Sequence, residues 1–191
     1  MIANRKAAAL ERIHAEALRL FVAKGVDGTT IAEIAAAAGV AQGALYRHYK
    51  GKDELVWMLF RDNYIAMAAR LDALQRATTG IHAKLAALVD EFVRHHDADP
   101  TMFRFLLVAQ HGQLARLAPD ARSPVDVVRR VIAAAIRAGE LPKQDAELAT
   151  AFVLGVLLQP ATFASYGRLP PKLAPHRDRL LAAAWRALQP A

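Results

Sequence analysis

Apolar side chains recur at intervals of three and four residues along most of this chain, which is the spacing of one face of an α-helix. The first such segment spans Asn4–Lys24, with Leu10, Ile13 and Phe21 on its apolar face. Gly25 follows directly and is suited to end a helix. No stretch alternates apolar and polar residues as a half-buried strand would. The pattern therefore predicts an all-α fold.

Glycines, prolines and short polar clusters divide the rest of the chain into further helical segments. These are predicted at Ile31–Ala38, Ala41–Tyr49, Asp53 to about Arg76, Ile81–His96, part of Thr101–Leu117, Val125–Ala138, Gln144–Tyr166 and His176–Leu188. Together with the first segment they make about nine helices. Pro160 lacks a backbone N–H, so it should kink or interrupt the helix that contains it.

The second and third helices are joined by a short turn. Thr30 and Glu33 have the T-x-x-E spacing of a capping box, which starts a helix at the next residue. Gly39 is placed for the left-handed residue that follows a helix end. Val40 can fill the gap between the two helices, and Leu45 faces inward from the second of them. These residues predict a helix-turn-helix.

The outer face of the third helix is polar and aromatic, with two small residues among the larger ones. Its members are Gln42, Gly43, Ala44, Tyr46, Arg47 and His48. Glutamine can read an adenine edge through two hydrogen bonds, and tyrosine and arginine commonly contact phosphates. The small residues let the helix backbone come close to another surface. Double-stranded DNA is the partner that this face predicts, although each side chain taken alone also fits a solvated surface.

The charge distribution agrees with this hypothesis. Residues 1–52 contain eight lysines and arginines and four acidic residues, whereas residues 53–191 contain 17 lysines and arginines and 14 acidic residues. Of the net charge of +7, +4 therefore lies in the first 52 residues and +3 in the remaining 139. A basic field favours association with phosphates. Many basic proteins bind no nucleic acid, however, so the charge supports the motif and does not replace it.

The same run of residues resembles the N-terminal domain of TetR-type transcriptional repressors. The shared pattern comprises Thr29, Thr30, Ile34, Ala35, Ala38, Gly39, Val40, Gly43, Leu45, Tyr46, His48, Tyr49, Lys52 and Leu55. Two positions depart from the family's usual residues. Ala41 stands where serine is usual, so the third helix lacks a side-chain N-cap. Tyr49 stands where phenylalanine is usual.

The resemblance implies roles for individual residues on DNA. The positions that match phosphate contacts are Thr29, Thr30, Tyr46 and Lys52. The positions nearest the base edges are Gln42, Ala44 and His48. Gly43 matches the point of closest approach, and Arg47 lies on the same face. Arg5 and Lys6, ahead of the first helix, are in a position to reach the neighbouring groove or backbone.

The resemblance also implies two domains: residues 1–52 as the DNA-binding domain, and residues 53–191 as a helical effector-binding and dimerisation domain. It implies a homodimer joined by the last two long helices, which suits a palindromic operator. The expected interface residues are Leu148, Phe152, Val156, Leu180, Leu181, Ala184, Trp185 and Leu188. The helix Gln144–Tyr166 is apolar nearly all round, which independently argues for burial on more than one side. The alternative is that this surface completes the core of a monomer.

A small-molecule site is a further implication of the resemblance. The candidate lining residues are Phe92, His96, Met102, Phe103, Leu106, Phe152, Gln159 and Phe163. A mostly apolar lining with a few polar groups suits an apolar or amphipathic effector. Ordinary core packing explains any one of these residues equally well.

Other functional classes find less support in the sequence. There is no cysteine, so no thiolate metal site or disulfide exists. His95 and His96 are adjacent on a helix and point about 100° apart, which makes a poor pair of metal ligands. No catalytic pair and no phosphate-binding loop are evident, so we expect neither an enzyme nor a cofactor. A DNA-binding architectural or activating protein without a ligand stays open as the alternative to a ligand-responsive repressor.

Nothing in the sequence points to export or to a membrane. The segment Met1–Arg12 contains four charged residues and no long apolar run, so it does not resemble a signal peptide. The most apolar stretch, Leu148–Ala164, contains Gln159 and Pro160 and is interpreted as a buried helix rather than a membrane span. We therefore expect a cytoplasmic protein.

Overall fold

The computed structural model describes residues 2–118 and 122–189, with side chains described from residue 7 onward. Within these ranges the chain forms nine α-helices and no strand. Their bounds are α1 Ile2–Lys24, α2 Ile31–Ala38, α3 Gln42–Tyr46, α4 Lys52–Ala77, α5 Ile81–Ala98, α6 Pro100–Gln113, α7 Pro124–Arg137, α8 Ala146–Ser165 and α9 Arg177–Ala187. Short 3-10 turns at Leu114–Arg116 and Ala174–His176 follow α6 and precede α9. The predicted all-α fold is confirmed.

Helix ends agree with the prediction where local residues specify them. The helix α2 has both halves of the Thr30–Glu33 capping box, and it ends at Gly39 with φ 64° and ψ 40°. The helix α3 is shorter than predicted and ends at Tyr46. No side chain caps its start at Ala41, and the N–H groups of His48 and Tyr49 both bond the Leu45 carbonyl. The helix α8 continues through Pro160, so the predicted interruption is absent.

The chain divides into two compact units. The N-terminal unit comprises Met1–Asn63 together with Thr101–Ala118, and the C-terminal unit comprises Tyr64–Pro100 together with Pro119–Ala191. The family resemblance implies a boundary after Lys52, whereas the N-terminal unit extends along the first half of α4 and includes α6 from Thr101 onward. The helix α4 therefore contributes residues to both units.

The helix α6 belongs to the core of the N-terminal unit. Phe105 is 1% exposed and stacks against Phe21 of α1, with ring centroids 5.9 Å apart. The 3-10 turn that follows α6 is also attached, because the Arg116 guanidinium lies 4.8 Å above the Trp57 ring and 3.0 Å from the Asp53 carboxylate. Local periodicity does not reveal this long-range packing.

The C-terminal unit is built from the second half of α4 and helices α5, α7, α8 and α9, whose facing side chains are buried. The largest fully buried residues of this unit are Val89, Ile132 and Leu157 in the helices, and Leu173 and Leu188 outside them. Asp97, at the end of α5, holds the chain ahead of α9 by accepting the N–H groups of Leu173 at 2.8 Å and Ala174 at 2.9 Å. The same carboxylate lies 2.7 Å from Nδ1 of His96.

The helix α8 exposes much of its apolar surface within the protomer. By length and composition it is the one helix in the described ranges that is long and apolar enough to cross a membrane, yet only 28% of that window is buried. Leu148 and Phe152 are 53% and 51% exposed, while Val153 and Leu157 on the opposite face are buried. The predicted burial on more than one side is therefore not reached in a single copy of the chain.

The helix α9 corrects part of the predicted dimer interface. Leu180, Ala184 and Leu188 are 6%, 0% and 0% exposed, because they pack into the core of their own unit. They present almost no surface to a second copy in this structure. Leu181 and Trp185 are partly exposed and stay available.

Candidate nucleic-acid interface

The scaffold of the interface is the pair α2 and α3. Glu33 N–H donates to the Thr30 hydroxyl at 3.2 Å, and Thr30 N–H donates to the Glu33 carboxylate at 2.8 Å. Lys24 donates to the same carboxylate at 2.7 Å. The hydrogen bond from Lys24, followed by those from Thr30, lowers the pKa of Glu33 to about 2. The start of α2 is thereby fixed by side chains from both its own turn and the end of α1.

The inner side of this pair is firmly packed. Ile34 and Leu45 are both 0% exposed, so each of the two short helices has an anchor in the core. Arg12 of α1 donates to the carbonyl of Ala38, the last residue of α2, at 3.1 Å. The Arg12 bond satisfies one carbonyl that the helix end would otherwise leave without a partner.

The outer side of α3 is open to solvent. Tyr46 is 54% exposed, and Gln42, Arg47 and His48 are exposed as well. Ala44 is partly exposed. All the predicted residues of this face other than Ala44 are thus exposed, and they follow one another over fewer than two helical turns. Such a face offers donors, acceptors and an aromatic ring to a ligand that lies along it.

Gly43 has no packing role inside the protein. A Cβ built at this position would meet no atom within 4 Å. Its backbone does not adopt a positive φ, so neither strain nor crowding within the chain requires a glycine here. The space left by the missing side chain therefore lies open toward solvent.

Thr29 does not lie on the accessible face. Its side chain is 0% exposed, and its hydroxyl donates to the Gly25 carbonyl at 2.8 Å. This hydroxyl cannot reach a phosphate in this structure, which corrects the prediction for Thr29. Thr30 is exposed, but its hydroxyl already serves the capping box.

Lys52 is placed at the start of α4 and holds the loop between α1 and α2. Its ammonium donates to the carbonyl of Val26 at 2.7 Å and lies 3.3 Å from the carbonyl of Asp27. An ammonium has three donors, so one is left for another acceptor. Arg5 and Lys6, the other predicted backbone contacts, have side chains outside the described residues.

The predicted effector residues are divided between the two units. Met102, Phe103 and Leu106 belong to the N-terminal unit, where Phe103 and Leu106 are buried. The others belong to the C-terminal unit. There, Phe152 and Gln159 are exposed on α8, and His96 is 3% exposed and bonded to Asp97.

The C-terminal unit contains an open cavity of about 230 Å³ between α4, α5 and α7. Its lining residues are Asp72, Gln75, Arg76, Thr78, Lys84, Val127, Arg130, Val131 and Ala134. None of the predicted effector residues is among them. Among the described residues there is also no group of three or more side chains that could hold a metal ion.

Two short helices joined by a tight turn at Gly39, with the second helix exposed on its polar side, have the arrangement of a DNA-binding helix-turn-helix. Residues 13–57 match the family model described as bacterial regulatory proteins, tetR family. A solved structure of a bacterial regulatory protein in the tetR family from Rhodococcus RHA1 is 26% identical, covers 96% of this chain and 98% of its own, and has a TM-score of 0.74. The chain is thus similar to TetR-family regulators in sequence over residues 13–57 and in fold over nearly its whole length.

Two further matches extend this finding. The regulator AcrR of Shigella flexneri is 50% identical over 50 residues, which are 25% of this chain and 23% of AcrR. The match thus spans about a quarter of that relative's length. The structure of FadR from Bacillus subtilis in complex with stearoyl-CoA has a TM-score of 0.73 at 16% identity and covers 92% of this chain and 97% of FadR, which shows a shared fold. The proteins in these matches are transcription regulators rather than enzymes.

Proposed function

We propose that the protein is a sequence-specific DNA-binding transcription regulator that works in the cytoplasm as a homodimer. It acts as a repressor, and it leaves a palindromic operator when a small apolar or amphipathic ligand binds its C-terminal part. The accessible face of α3 is the observation that carries this proposal. The relative AcrR, which is 50% identical over 50 residues, is likewise a helix-turn-helix transcriptional regulator.

The residues of α3 suit contacts in a major groove. Gln42 supplies both a donor and an acceptor at the start of the helix, the part of a recognition helix that meets base edges. The open space at Gly43 lets the helix backbone approach the DNA. Tyr46, with 54% of its surface exposed, and Arg47 supply groups for phosphates. Thr29 is not among the proposed DNA contacts, because its hydroxyl is buried and donates to Gly25.

The outward face of α8 supports the homodimer. Leu148 and Phe152 are more than half exposed, and Val156 continues the same stripe one helical turn further on. Leu181 and Trp185 of α9 are the remaining members of the predicted interface. A second copy would remove these side chains from water, and a two-fold pair of α3 helices would read two half-sites. We favour a second copy over a membrane because the other face of α8 packs on α7 and α9.

The proposed effector is a small apolar or amphipathic molecule. Partly exposed Phe92 and Phe163 of the C-terminal unit are candidates for its contacts. Stearoyl-CoA, the molecule in complex with FadR, is a suitable first probe because it is amphipathic. A ligand can release DNA only if it binds the released conformation more tightly than the DNA-bound one.

Selection of bound sequences from random duplex DNA by the purified protein tests the proposal. Enrichment of a two-fold palindrome, bound with an affinity that falls steeply with salt, would support a dimeric sequence-specific regulator. The same selection with stearoyl-CoA present tests release. A folded protein that has been stripped of bound ligand and still enriches no sequence would contradict the proposed function.

A further inference from the structure

The open cavity between α4, α5 and α7 carries an excess of positive charge. Three cationic side chains, Arg76, Lys84 and Arg130, line it together with one carboxylate, that of Asp72. Asp72 is buried, and its oxygens lie 2.6 Å from Arg76 and 2.9 Å from Arg130. Arg122 adds a third guanidinium at 3.1 Å from the same carboxylate. One carboxylate therefore faces more cationic charge than it can neutralise.

Lys84 is the cation with the least occupied head group. Its ammonium has no ion-pair partner within residues 7–118 and 122–189, whereas both lining arginines already bond Asp72. Like charges that line one cavity repel one another, and an added anion would offset this repulsion. The cavity thus has an available point charge at α5 and exposed guanidinium groups at α4 and α7.

The remaining lining separates into a polar and an apolar side. Val127, Val131 and Ala134 form a stripe at helical spacing on α7. Gln75 is 6% exposed, and its Oε1 atom accepts no hydrogen bond from the part of the chain that the structure describes. An unpartnered buried acceptor is unfavourable, and a water molecule that enters with the ligand can donate to it.

We propose that this cavity binds a small organic anion, with its carboxylate or phosphate between Lys84, Arg76 and Arg130 and a short apolar body against Val127, Val131 and Ala134. The volume of about 230 Å³ is below the roughly 300–1,000 Å³ of sites for drug-sized ligands, so the ligand is small. The site is separate from the residues predicted to bind the effector. It does not depend on the proposed regulatory function, because its occupancy can be measured without DNA.

Calorimetric titration of the full chain without DNA tests this site with probes of one tail length. Hexanoate and hexyl phosphate carry the two anionic heads, hexylamine carries the opposite charge, and inorganic phosphate has no tail. We expect one of the hexyl anions to bind, hexylamine not to bind, and inorganic phosphate to bind more weakly than hexyl phosphate. The tighter of the two hexyl anions identifies the head group. Equal binding of hexanoate and hexylamine, or no binding of either anion, would overturn the proposal.

Variants of three residues connect the binding to this cavity. Lys84→Gln should weaken the binding of the preferred anion by roughly tenfold, and Lys84→Arg should keep it within about threefold. Lys143→Gln removes the same charge from an exposed position outside the lining and should change nothing. Ala134→Glu, at an exposed lining position, places a tethered carboxylate beside the cations and should abolish binding. Equal effects of Lys84→Gln and Lys143→Gln would count against the site.

Discussion

The Nε2 atom of His14 in α1 lies 2.5 Å from the hydroxyl of Tyr49, three residues beyond the end of α3. Tyr49 is 4% exposed, and burial raises the pKa of its hydroxyl, which therefore stays protonated at neutral pH. Burial also lowers the pKa of His14, so its ring is neutral and can accept this proton. The bond connects α1 to the segment that positions the exposed face of α3. Phenylalanine, the usual residue of the family at this position, cannot form it.

The first prediction concerns this bond. Tyr49→Phe should lower the free energy of unfolding by about 1 kcal/mol, because the half-buried His14 nitrogen loses its partner. Urea unfolding of Tyr49→Phe, His14→Leu and the double variant would measure the coupling between the two residues. A coupling of roughly 0.5–1.5 kcal/mol is expected. If the double variant lost only the sum of the unfolding free energies lost by the two single variants, the bond would contribute nothing to stability.

A second prediction follows from the uncapped start of α3. Ala41 has an extended backbone, with φ −67° and ψ 141°, and provides no side-chain hydrogen bond. Ala41→Ser should raise the free energy of unfolding by about 1 kcal/mol, since a hydroxyl there can accept an N–H of the first turn. Ala41→Val is the matched control, because it fits an extended backbone but cannot cap. An equal effect of serine and valine would argue against capping as the cause.

A third prediction separates base readout from phosphate contact on DNA. Gln42→Ala should relax base preference at one position of each half-site, whereas Lys52→Ala should weaken binding to all sequences and lower the salt slope by about 1. Because Lys52 also holds the α1–α2 loop, the stability of the Lys52→Ala variant must be measured by an unfolding curve together with its DNA binding. Lys172→Ala removes a charge from an exposed loop of the C-terminal unit and serves as the control. Unchanged preference in Gln42→Ala would remove this residue from the reading face.

A fourth prediction concerns the proposed dimer. Phe152→Glu places a charge on the outward face of α8, where 51% of the phenylalanine is exposed in one protomer. We expect it to weaken self-association at least roughly tenfold, because the interface would have to bury an unpaired carboxylate. Sedimentation equilibrium measures the change. Val108→Glu, at a residue that is 60% exposed in the N-terminal unit, is the control and should leave self-association unaltered.

A fifth prediction concerns Asp97 and pH. Burial alone would raise the pKa of this carboxyl, but the hydrogen bonds from Leu173, His96 and Ala174 outweigh burial and hold the pKa below its ordinary value of 3.8. The Asp97 carboxylate therefore stabilises the fold fully at a pH above its pKa in the unfolded chain. This stabilisation is lost as the pH falls through the lower pKa that Asp97 has in the folded chain. Asp97→Asn should cost about 2 kcal/mol at pH 7 and less in strong acid.

Denaturant unfolding at pH 7 and at acidic pH would measure this difference. Asp178→Asn is a suitable control, because the Asp178 side chain is 91% exposed and its pair with Arg177 lies at the surface. Ion pairs at the surface contribute little to the free energy of unfolding. If Asp97→Asn and Asp178→Asn were equally mild at pH 7, the role of Asp97 in holding the chain before α9 would be refuted.

Much of the N-terminal architecture could be predicted from local sequence because its determinants are close together in the chain. Thr30 and Glu33 are three residues apart and set the start of α2, and Gly39 ends that helix by adopting a backbone that other residues avoid. The exposed positions of α3 follow from a helical repeat with Leu45 on its inner side. The family pattern rests on the same short-range features.

Only the tertiary structure decided which apolar and polar groups are accessible. Thr29 and Thr30 are neighbours in sequence, yet one hydroxyl is buried against Gly25 and the other lies at the surface. The apolar face of α9 is predicted to join a dimer, but Leu188 lies inside its own unit. A hydrophobic pattern predicts that a face is covered; the element that covers it depends on contacts between residues far apart in the chain. For the same reason the packing of α6 on α1, and the charge gathered around Asp72 from α4 and α7, were determined by the fold and not by any local pattern.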